Sequence, residues 1–386
     1  MAPLMAFARA DNRWGLRNHV LVLPLHSALS STAREIADAI PGAVALGHDW
    51  SGEDDNDLER VISTLSGCAA NPNNHSVVFL TLETPFEKEI VFRASSMSAQ
   101  SLLEVSLPQM GSIAALTVSA KEITANLVVQ ASLEHRVEAP WSAILLGLEC
   151  GGSDALSGIT ANPALGIASD RLVGLGATSV LGETTEILGA EHLLAARAID
   201  PEVGKRIVAT VARYESSINY EGIDLRGAQP SRGNIEGGLS TLEEKSLGAA
   251  KKAGNAPFTG VLEFAEIPQI PGLYFMDTPG HDIEQLAGFA AGHINIVVFT
   301  SGRGTPTGSP IMPVIKVSTN TPMFESLTDL IDLDAGTIAE GLETLEETGA
   351  RIFDEICEVA NGKLTRAERG GHQEFALSRM YGTVLG

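Results

Sequence analysis

Residues 144–166, Ile144-Leu-Leu-Gly-Leu-Glu-Cys-Gly-Gly-Ser-Asp-Ala-Leu-Ser-Gly-Ile-Thr-Ala-Asn-Pro-Ala-Leu-Gly166, decide the fold that the sequence predicts. The stretch opens with an apolar run, residues 143–148, of the length of a buried strand. Gly151 and Gly152 then let the backbone turn sharply or approach a ligand closely, and Pro163 suits the first turn of a helix. Open α/β sheets bind their ligands where a strand ends in such a loop before a helix. The alternative is a tight turn whose Ser and Asp only cap the helix.

The composition is that of a folded globular chain. With 386 residues, 44% of them hydrophobic and 19% charged, the chain can bury the cores of two or three domains. A net charge of −22 argues against binding to nucleic acid or to an anionic membrane. Cys68, Cys150 and Cys357 are too few for a disulfide framework and fit a reducing cytoplasm. We find neither a signal peptide nor an apolar run that could span a bilayer, so a cytoplasmic location is expected.

Apolar runs and helical patterns alternate along most of the chain. Strands are predicted at residues 19–25, 43–46, 77–82, 113–118, 143–148, 179–182, 273–276, 294–299 and 313–320. Helices are predicted at residues 29–40, 53–66, 86–95, 119–133, 163–175, 190–217, from 243 onwards, 283–291 and through much of 335–381. This alternation predicts an α/β fold of mostly parallel sheets with helices on both faces, in two Rossmann-like lobes. The predicted boundary gives an N-terminal lobe at 1–138 and a C-terminal lobe at 139–386, and the polar stretch 226–241 is predicted to be a functional loop.

Several predicted strands end in polar residues. These ends are His48 to Ser51, Glu83, Glu149 to Asp154, Asp277 to His281, and Ser301 to Arg303. Because the carboxyl ends of parallel strands share one edge of a sheet, the repetition predicts a composite ligand site.

Long ordered motifs give the sequence a family resemblance over nearly its whole length. They are Trp14-Gly-Leu-Arg-Asn18, Glu149-Cys-Gly-Gly-Ser-Asp-Ala155, Thr160-Ala-Asn-Pro163, Gly233-Asn-Ile-Glu-Gly-Gly-Leu239, Met276-Asp-Thr-Pro-Gly280, Thr300-Ser-Gly-Arg-Gly-Thr-Pro306 and Pro313-Val-Ile-Lys-Val317. The chain resembles the altronate/galactarate dehydratases, a family of sugar-acid lyases.

The first half departs from the family pattern at two places. His48-Asp49-Trp50-Ser51-Gly52 stands where the family usually has a His and Cys-Gly cluster, and Thr81-Leu82-Glu83 where it usually has Gly-Cys-Glu. The lost cysteine and the C-terminal stretch 364–375 look closer to the large subunit of sulfolactate sulfo-lyase, a branch of the family that eliminates sulfite. The family's small N-terminal domain is not found in this sequence. The resemblance therefore implies a catalytic large subunit with a small partner chain, and we expect a homo-oligomer.

The reaction that the resemblance implies is β-elimination from a small hydroxy-carboxylate such as a sugar acid. A base removes the proton beside the carboxylate, water or sulfite leaves the next carbon, and the enol becomes a 2-oxo acid. Charge develops on the carboxylate, so a divalent metal should matter most. The family is associated with Fe(II) or Mn(II), and Cys150, Glu149 and His48 are the ligand candidates. The alternative is a buried apolar Cys150 and a Glu149 paired with arginine.

The remaining predicted site residues would bind or act on this substrate. Lys316, Arg303 and Asp154 form the predicted catalytic set. Lys316 would be a general base or enolate stabiliser if burial lowers its pKa, the alternative being an edge-strand lysine kept in solvent. Arg303 and Arg17 would clamp the carboxylate, because a guanidinium fits it at two points. The predicted substrate-binding residues are Arg17, Asn18, Ser153, Ser157, Asn162, Asn234, Lys245 and Asn320.

Two other classes of function stay open at this stage. The lost metal-site residues would also fit a non-catalytic carboxylate-binding subunit on the same fold. A phosphate-binding enzyme is less well supported, because the Gly302-Arg-Gly304 and Gly151-Gly152 pairs match neither a P-loop nor a dinucleotide-binding pattern.

Overall fold

The computed structural model describes residues 3–52, 57–219 and 229–378. Its strands are β1 Met5–Ala8, β2 Trp14–Gly15, β3 His19–Pro24, β4 Ala43–Ala45, β5 Asn74–Thr81, β6 Ser101–Ser106, β7 Val137–Glu138, β8 Leu145–Gly151, β9 Thr178–Leu181, β10 Phe258–Leu262, β11 Gly272–Met276, β12 Ile296–Ser301, β13 Val314–Ser318 and β14 Leu333–Asp334. Its α-helices are α1 Ser30–Asp38, α2 Leu58–Ala70, α3 Pro85–Met97, α4 Leu107–Met110, α5 Ile113–Leu133, α6 Ala161–Gly174, α7 Glu191–Ala195, α8 Pro201–Asn219, α9 Arg232–Glu236, α10 Leu242–Ala250, α11 Asp282–Ala291, α12 Thr321–Ser326, α13 Leu345–Ala360 and α14 Arg366–Gly370.

Two parallel sheets organise the chain. The first has the strand order β4-β3-β5-β6, and the second has the order β10-β11-β9-β8-β12-β13-β14. The strand β8 lies at the centre of the larger sheet and is buried along almost all of its length. The predicted α/β fold with parallel sheets is confirmed.

A continuous apolar layer joins the two sheets. Because side chains alternate along a strand, Leu21 and Phe79 of the smaller sheet and Phe299 of the larger sheet point into the same cluster. Helices α2 and α11 also pack against each other there. A methyl group added at Gly67 would lie 2.3 Å from the carbonyl oxygen of Ala291, so only glycine allows this approach. We call this cluster the inter-sheet layer.

The other faces of the sheets carry their own helices. Val22 and Val78 of the smaller sheet pack with residues of α1 and α5, and Leu148 and Val298 of the larger sheet pack with residues of α6 and α13. Each sheet thus has apolar contacts on both faces, as the near-continuous apolar runs in its strands require. In the described part of the chain, no helix combines the length and the apolar composition needed to cross a membrane.

The element boundaries correct the sequence prediction in several places. The strand predicted at 113–118 is wrong: these residues begin α5, whose start is capped by the Ser112 side chain, and the strand lies earlier, at β6. The alanines and leucine of this run favour a helix, which the apolar pattern alone did not show.

The helix predicted at 190–217 is two helices, α7 and α8. Ile199 leaves the helical path to bond with the Phe258 carbonyl, and Pro201 starts the second helix. Part of the predicted loop 226–241 falls outside the described residues; in the remainder α9 forms, and its capping box is closed by Ser231 and Asn234. The predicted helical tail is reduced to α13 and α14.

A buried histidine predicts how stability depends on pH. His293 follows α11, and its Nδ1 lies 3.2 Å from Nη1 of Arg13. Burial lowers the His293 pKa from 6.5 to about 3. As the pH falls, His293 is protonated in the unfolded chain before it is protonated in the folded protein. The free energy of unfolding is therefore unaffected by His293 above pH 6.5 and falls between pH 6.5 and 3, by up to about 1.4 kcal/mol per pH unit.

We therefore expect His293→Asn to flatten the fall in unfolding free energy between pH 6.5 and 4, measured by denaturant titration. Asparagine tolerates the φ of 63° at this position. The exposed His192 on α7 gives a control variant, His192→Asn, which should keep the slope of the parent protein. Equal slopes in His293→Asn and the parent would contradict the prediction.

Candidate active site

The centre of the larger sheet ends in a buried cluster of ionisable side chains. Glu149 and Cys150 are neighbours at the end of β8, so their side chains point to opposite faces of the sheet. Cys150 stands level with Thr300 of β12, and Glu149 stands level with Phe299, which points into the inter-sheet layer. Both residues are buried, Glu149 completely.

Two glutamates from the end of β9 join Cys150. Ligand atoms of Cys150, Glu183 and Glu186 all lie within 4.8 Å of one another, and all three residues are buried. A 3₁₀ turn, Thr184–Ile187, brings Glu186 back beside Glu183. Glu183 adopts a φ of 62°, an uncommon conformation for a residue with a side chain and one that is found more often at functional sites.

The loop after β11 holds this turn in place. The backbone N–H of Glu183 donates to Oγ1 of Thr278 at 2.6 Å, and Oγ1 of Thr184 donates to Asp277 at 2.6 Å. The polar residues predicted at 277–281 therefore support the cluster, and the ends of β8, β9 and β11 meet at one edge of the sheet.

Two buried lysines face these acidic groups. The Nζ of Lys252 donates to the Sγ of Cys150 at 2.8 Å and also forms an ion pair with Glu183. Lys245 pairs with Glu186 at 2.8 Å and donates to Oε1 of Gln229 at 2.5 Å. Both lysines belong to one short stretch of chain, α10 and the 3₁₀ turn Lys251–Ala253 that follows it.

Burial sets the protonation of the cluster. It raises the pKa of Glu183 to about 7 and that of the Cys150 thiol well above its usual value. Burial lowers the pKa of Lys252, but the adjacent Cys150 and Glu183 more than reverse this and leave it raised. Lys252 is thus protonated, and its positive charge favours the ionised forms of Cys150 and Glu183.

The carboxylate of Glu149 has neither oxygen hydrogen-bonded to another described residue, although both oxygens are buried. Burial, together with Glu183 and Asp282, raises its pKa well above the usual value. One carboxylate oxygen of Glu186 and both amide atoms of Gln285 are also buried without a hydrogen-bond partner among the described residues. Unpartnered buried oxygens are costly, and a bound cation would satisfy them. The thiol and carboxylate donors therefore fit a divalent metal ion, and Cys150, Glu183 and Glu186 could hold one.

Asp154 connects the loops that follow β8 and β13. Its Oδ1 accepts from Oγ of Ser157 at 2.9 Å, and its Oδ2 accepts from Oγ1 of Thr319 at 2.8 Å and from Nδ2 of Asn320 at 3.2 Å. The structure thus brings together three of the predicted site residues, Asp154, Ser157 and Asn320. With these bonds, Asp154 is a positioning group for the loops around the cluster.

A cavity of about 210 Å³ lies beside this network. Its wall contains predicted substrate-binding residues and one lysine of the cluster: Ser153, Asp154, Ser157, Asn162 and Lys245. The hydroxyl of Ser153 also lies 3.8 Å from the Sγ of Cys150, which places the cavity next to the buried cluster. Its wall is largely apolar with a few polar side chains, an arrangement typical of small-molecule sites.

Two predicted substrate-binding amides are used by the fold. Asn162 accepts from Thr300 at 2.6 Å and donates to the Gly248 carbonyl at 3.0 Å. Asn234 donates to the Ser153 carbonyl at 3.0 Å and closes the cap of α9. Both therefore shape the wall of the site.

Arg303 and Lys316 lie around the loop that follows β12. The side chain of Arg303 is half exposed. Its ion pair with Glu236 is long, with 4.0 Å between Nη2 and the carboxylate oxygen. Lys316 is buried in β13, where its Nζ donates to the Pro306 carbonyl at 2.9 Å, and burial lowers its pKa to about 8. Lys316 is thus not the solvent-exposed edge lysine that the sequence left open.

The structure places His48 and Asn18, two of the predicted site residues, in contacts with the backbone. Both ring nitrogens of His48 bond to backbone, Nε2 with the Pro24 carbonyl at 2.7 Å and Nδ1 with the Trp50 N–H at 3.1 Å. It is not in the Cys150–Glu183–Glu186 group found among the described residues. Asn18 donates to the Ala131 carbonyl at 2.9 Å.

Arg17 is bound in a different part of the molecule. Its Nε and Nη2 donate to the two carboxylate oxygens of Glu368 at 2.6 and 2.8 Å, and its Nη1 donates to the Val359 carbonyl at 2.9 Å. Its guanidinium fork is therefore occupied by α14 and by the end of α13. The structure gives no support to its predicted role as a substrate clamp.

We expect Arg17→Ala to cost about 3–5 kcal/mol of unfolding free energy, because it leaves the Glu368 carboxylate buried without its partner. Denaturant unfolding would measure the loss. In the control, Arg93→Ala removes the exposed pair with Glu59 and should cost at most about 1 kcal/mol. If Arg17→Ala instead raised KM in a fully stable protein, Arg17 would be a substrate ligand.

Sequence reasoning missed Glu183, Glu186 and Lys252. A signal for the glutamates was present, since Gly182-Glu-Thr-Thr-Glu186 directly follows the strand predicted at 179–182. Lys252 had no such signal, because it lies in the turn after α10, away from any predicted strand end.

Comparison with known proteins shows the family of the chain. Residues 141–383 match the family described as D-galactarate/altronate dehydratase, C-terminal, and residues 6–132 match the one described as D-galactarate dehydratase/altronate hydrolase, second domain. The (2R)-sulfolactate sulfo-lyase subunit beta of Chromohalobacter salexigens is 36% identical over 98% of this chain and 97% of its own length.

Two dehydratases are also similar. The altronate dehydratase of Bacillus subtilis is 33% identical over 96% of this chain and 76% of its own length. The galactarate dehydratase (L-threo-forming) of Escherichia coli is 45% identical over 59% of this chain and 44% of its own length. With a buried thiol and carboxylates at the carboxyl edge of a parallel sheet and relatives of this kind, the chain is an enzyme of the lyase class. It belongs to the D-galactarate/altronate dehydratase family.

Proposed function

We propose that the chain catalyses β-elimination of water or sulfite from a small 2-hydroxy carboxylate and yields a 2-oxo acid. The observation that carries this proposal is the Cys150–Glu183–Glu186 group beside a cavity of about 210 Å³ that Ser153 and Lys245 line. Loss of water is the reaction in the names of two relatives. Loss of sulfite is favoured by the sulfo-lyase subunit, of which this chain spans 97%.

A divalent metal, Fe(II) or Mn(II), would be held by Cys150, Glu183 and Glu186. When bound, it would act as a Lewis acid on the substrate carboxylate and so stabilise the negative charge that proton removal creates. Of the metal ligands predicted from the sequence, this proposal keeps Cys150 and replaces His48 with the two glutamates. Glu149, on the opposite face of β8, is not a metal ligand in this proposal.

The chain's own side chains would bind and orient the substrate. Arg303 reaches solvent with its guanidinium little used by the fold, so it can bind a carboxylate or sulfonate at two points. Ser153 and Lys245 line the cavity, where a hydroxyl and an ammonium can bind the hydroxyls of a sugar acid or a second anionic group.

Lys316 is the proposed general base. Its pKa of about 8 leaves part of the population neutral near pH 7, and a neutral Nζ can accept the proton beside the carboxylate. Its hydrogen bond to the Pro306 carbonyl links it to the loop that carries Arg303.

We also propose a small partner subunit. The sulfo-lyase relative is named as a subunit beta and is matched over almost its whole length, so this chain would be the corresponding large subunit. Self-association into a homo-oligomer remains a prediction.

The test is an anaerobic assay of the purified chain reconstituted with Fe(II) or Mn(II). Sugar acids and sulfolactate would be offered, and 2-oxo acid and sulfite would both be measured. Release of 2-oxo acid alone identifies a dehydratase, and release of sulfite identifies the sulfo-lyase reaction. A chain that binds carboxylates without turnover, even with a candidate small subunit added, would be a binding subunit and would contradict the proposal.

A further inference from the structure

We propose that Lys252 is a resident counter-ion of the metal site: its ammonium occupies the position between Cys150 and Glu183 in the metal-free protein and must leave when the metal binds. This inference rests on the metal site of the proposed function. It adds a role for a residue that neither the sequence analysis nor the proposed reaction uses.

Lys252 is surrounded by acidic groups. Its side chain has no exposed surface, its Nζ contacts Cys150 and Glu183 directly, and the charge of Glu149 also acts on it. Glu186 and Asp282 act on the same carboxylates. A buried carboxylate or thiolate without a cation beside it is strongly unfavourable, and in the metal-free protein Lys252 is the cation in contact with Cys150 and Glu183.

The lysine and the metal compete for the same atoms. The lysine Nζ uses the Sγ of Cys150 and a carboxylate oxygen of Glu183, and both belong to the only group of possible metal-binding residues found among the described residues. A divalent ion on these atoms would lie within a few ångströms of an ammonium among buried side chains, where like charges repel more strongly than in water. The two cations therefore exclude each other.

Glu149 is a further acidic group that acts on Lys252 electrostatically. Both carboxylate oxygens of Glu149 are buried and lack a hydrogen-bond partner among the described residues. The charge of Glu149 acts on Lys252 from outside the Cys150–Glu183–Glu186 group. Metal binding at that group would therefore leave one acidic side chain that still attracts the lysine.

The test measures metal binding and thermal stability. Lys252→Met removes the charge and keeps the length of the side chain. Titration of the metal-free protein with Co(II) under anaerobic conditions would follow the near-ultraviolet absorption of thiolate-bound cobalt, which reports on Cys150. We expect Co(II) to bind Lys252→Met at least tenfold more tightly than the parent, and the metal-free variant to melt at a lower temperature that Co(II) restores.

Two further variants complete the design. Lys205→Met removes an exposed lysine paired with Glu202 and should leave cobalt binding unchanged. Lys252→Arg keeps a cation that cannot be deprotonated and binds carboxylates at two points, so we expect it to fold and to bind Co(II) at least tenfold more weakly than the parent. It tests the proposal even if Lys252→Met does not fold.

Equal or weaker cobalt binding by Lys252→Met would overturn the proposal, and so would equal or tighter binding by Lys252→Arg. Absence of cobalt binding in the parent and in every variant would overturn it too. None of these results depends on turnover, so they are separate from a failure of the elimination assay.

Discussion

Replacing Cys150 with serine is expected to lower kcat about a thousandfold and to remove most of the bound metal. The Sγ of Cys150 lies within 4.8 Å of ligand atoms of Glu183 and Glu186, so it is one of three donors in the buried group. A serine hydroxyl does not ionise near neutral pH and is a poorer ligand for Fe(II). Loss of the several kcal/mol that a metal contributes to a charged transition state corresponds to a rate loss of about this size.

The measurements are the metal content by elemental analysis and the initial rate of 2-oxo acid release. Cys357→Ser is the matched control, because Cys357 is a half-buried cysteine on α13 and lies outside the Cys150 group. The control should keep both its metal and its rate. If Cys150→Ser retained full metal content, the thiol would not be a ligand, and the buried cluster would need another explanation.

Replacing Arg303 with alanine is expected to lower kcat/KM about 100- to 1000-fold without changing the melting temperature. A bidentate guanidinium–carboxylate contact contributes about 3–4 kcal/mol in a site of this kind. The fold depends little on this side chain, which is half exposed and has one distant ion pair, 4.0 Å from Glu236. Loss of Arg303 should therefore lower activity and leave stability unchanged, whereas loss of Arg17 should lower stability.

Steady-state kinetics and a thermal melt of the same preparation would test this separation. Arg303→Lys should recover part of the activity, since it restores charge but not the two-point geometry. Arg232→Ala is the control: Arg232 is nearly fully exposed on α9 and pairs with the same Glu236. An unchanged kcat/KM in Arg303→Ala would make Arg303 an ordinary surface residue.

The sequence predicted the sheets better than the site. Strands such as β3, β8 and β12 carry near-continuous apolar runs, and this pattern is enough to predict buried parallel strands. By contrast, β6 was missed because it is an edge strand with exposed residues at Ser101 and Glu104, so it lacks that pattern.

The site required distances that a sequence does not contain. Arg17 and Arg303 both have the chemistry of a carboxylate clamp, and only the fold shows that Glu368, 351 residues further along the chain, occupies the first. Lys252 contacts Cys150 across 102 residues. The first pair depends on where α14 packs and the second on where α10 and the following turn pack, and the local sequence pattern carries no information about either.

The inter-sheet layer limits how the molecule can move. The backbones of α2 and α11 are in contact at Gly67 and Ala291, and aromatic side chains from both sheets share one core. The two sheets therefore cannot separate without exposing that core to water. Admission of substrate then falls to small movements at the rim, where Arg303 lies beside Gly152 and Gly233.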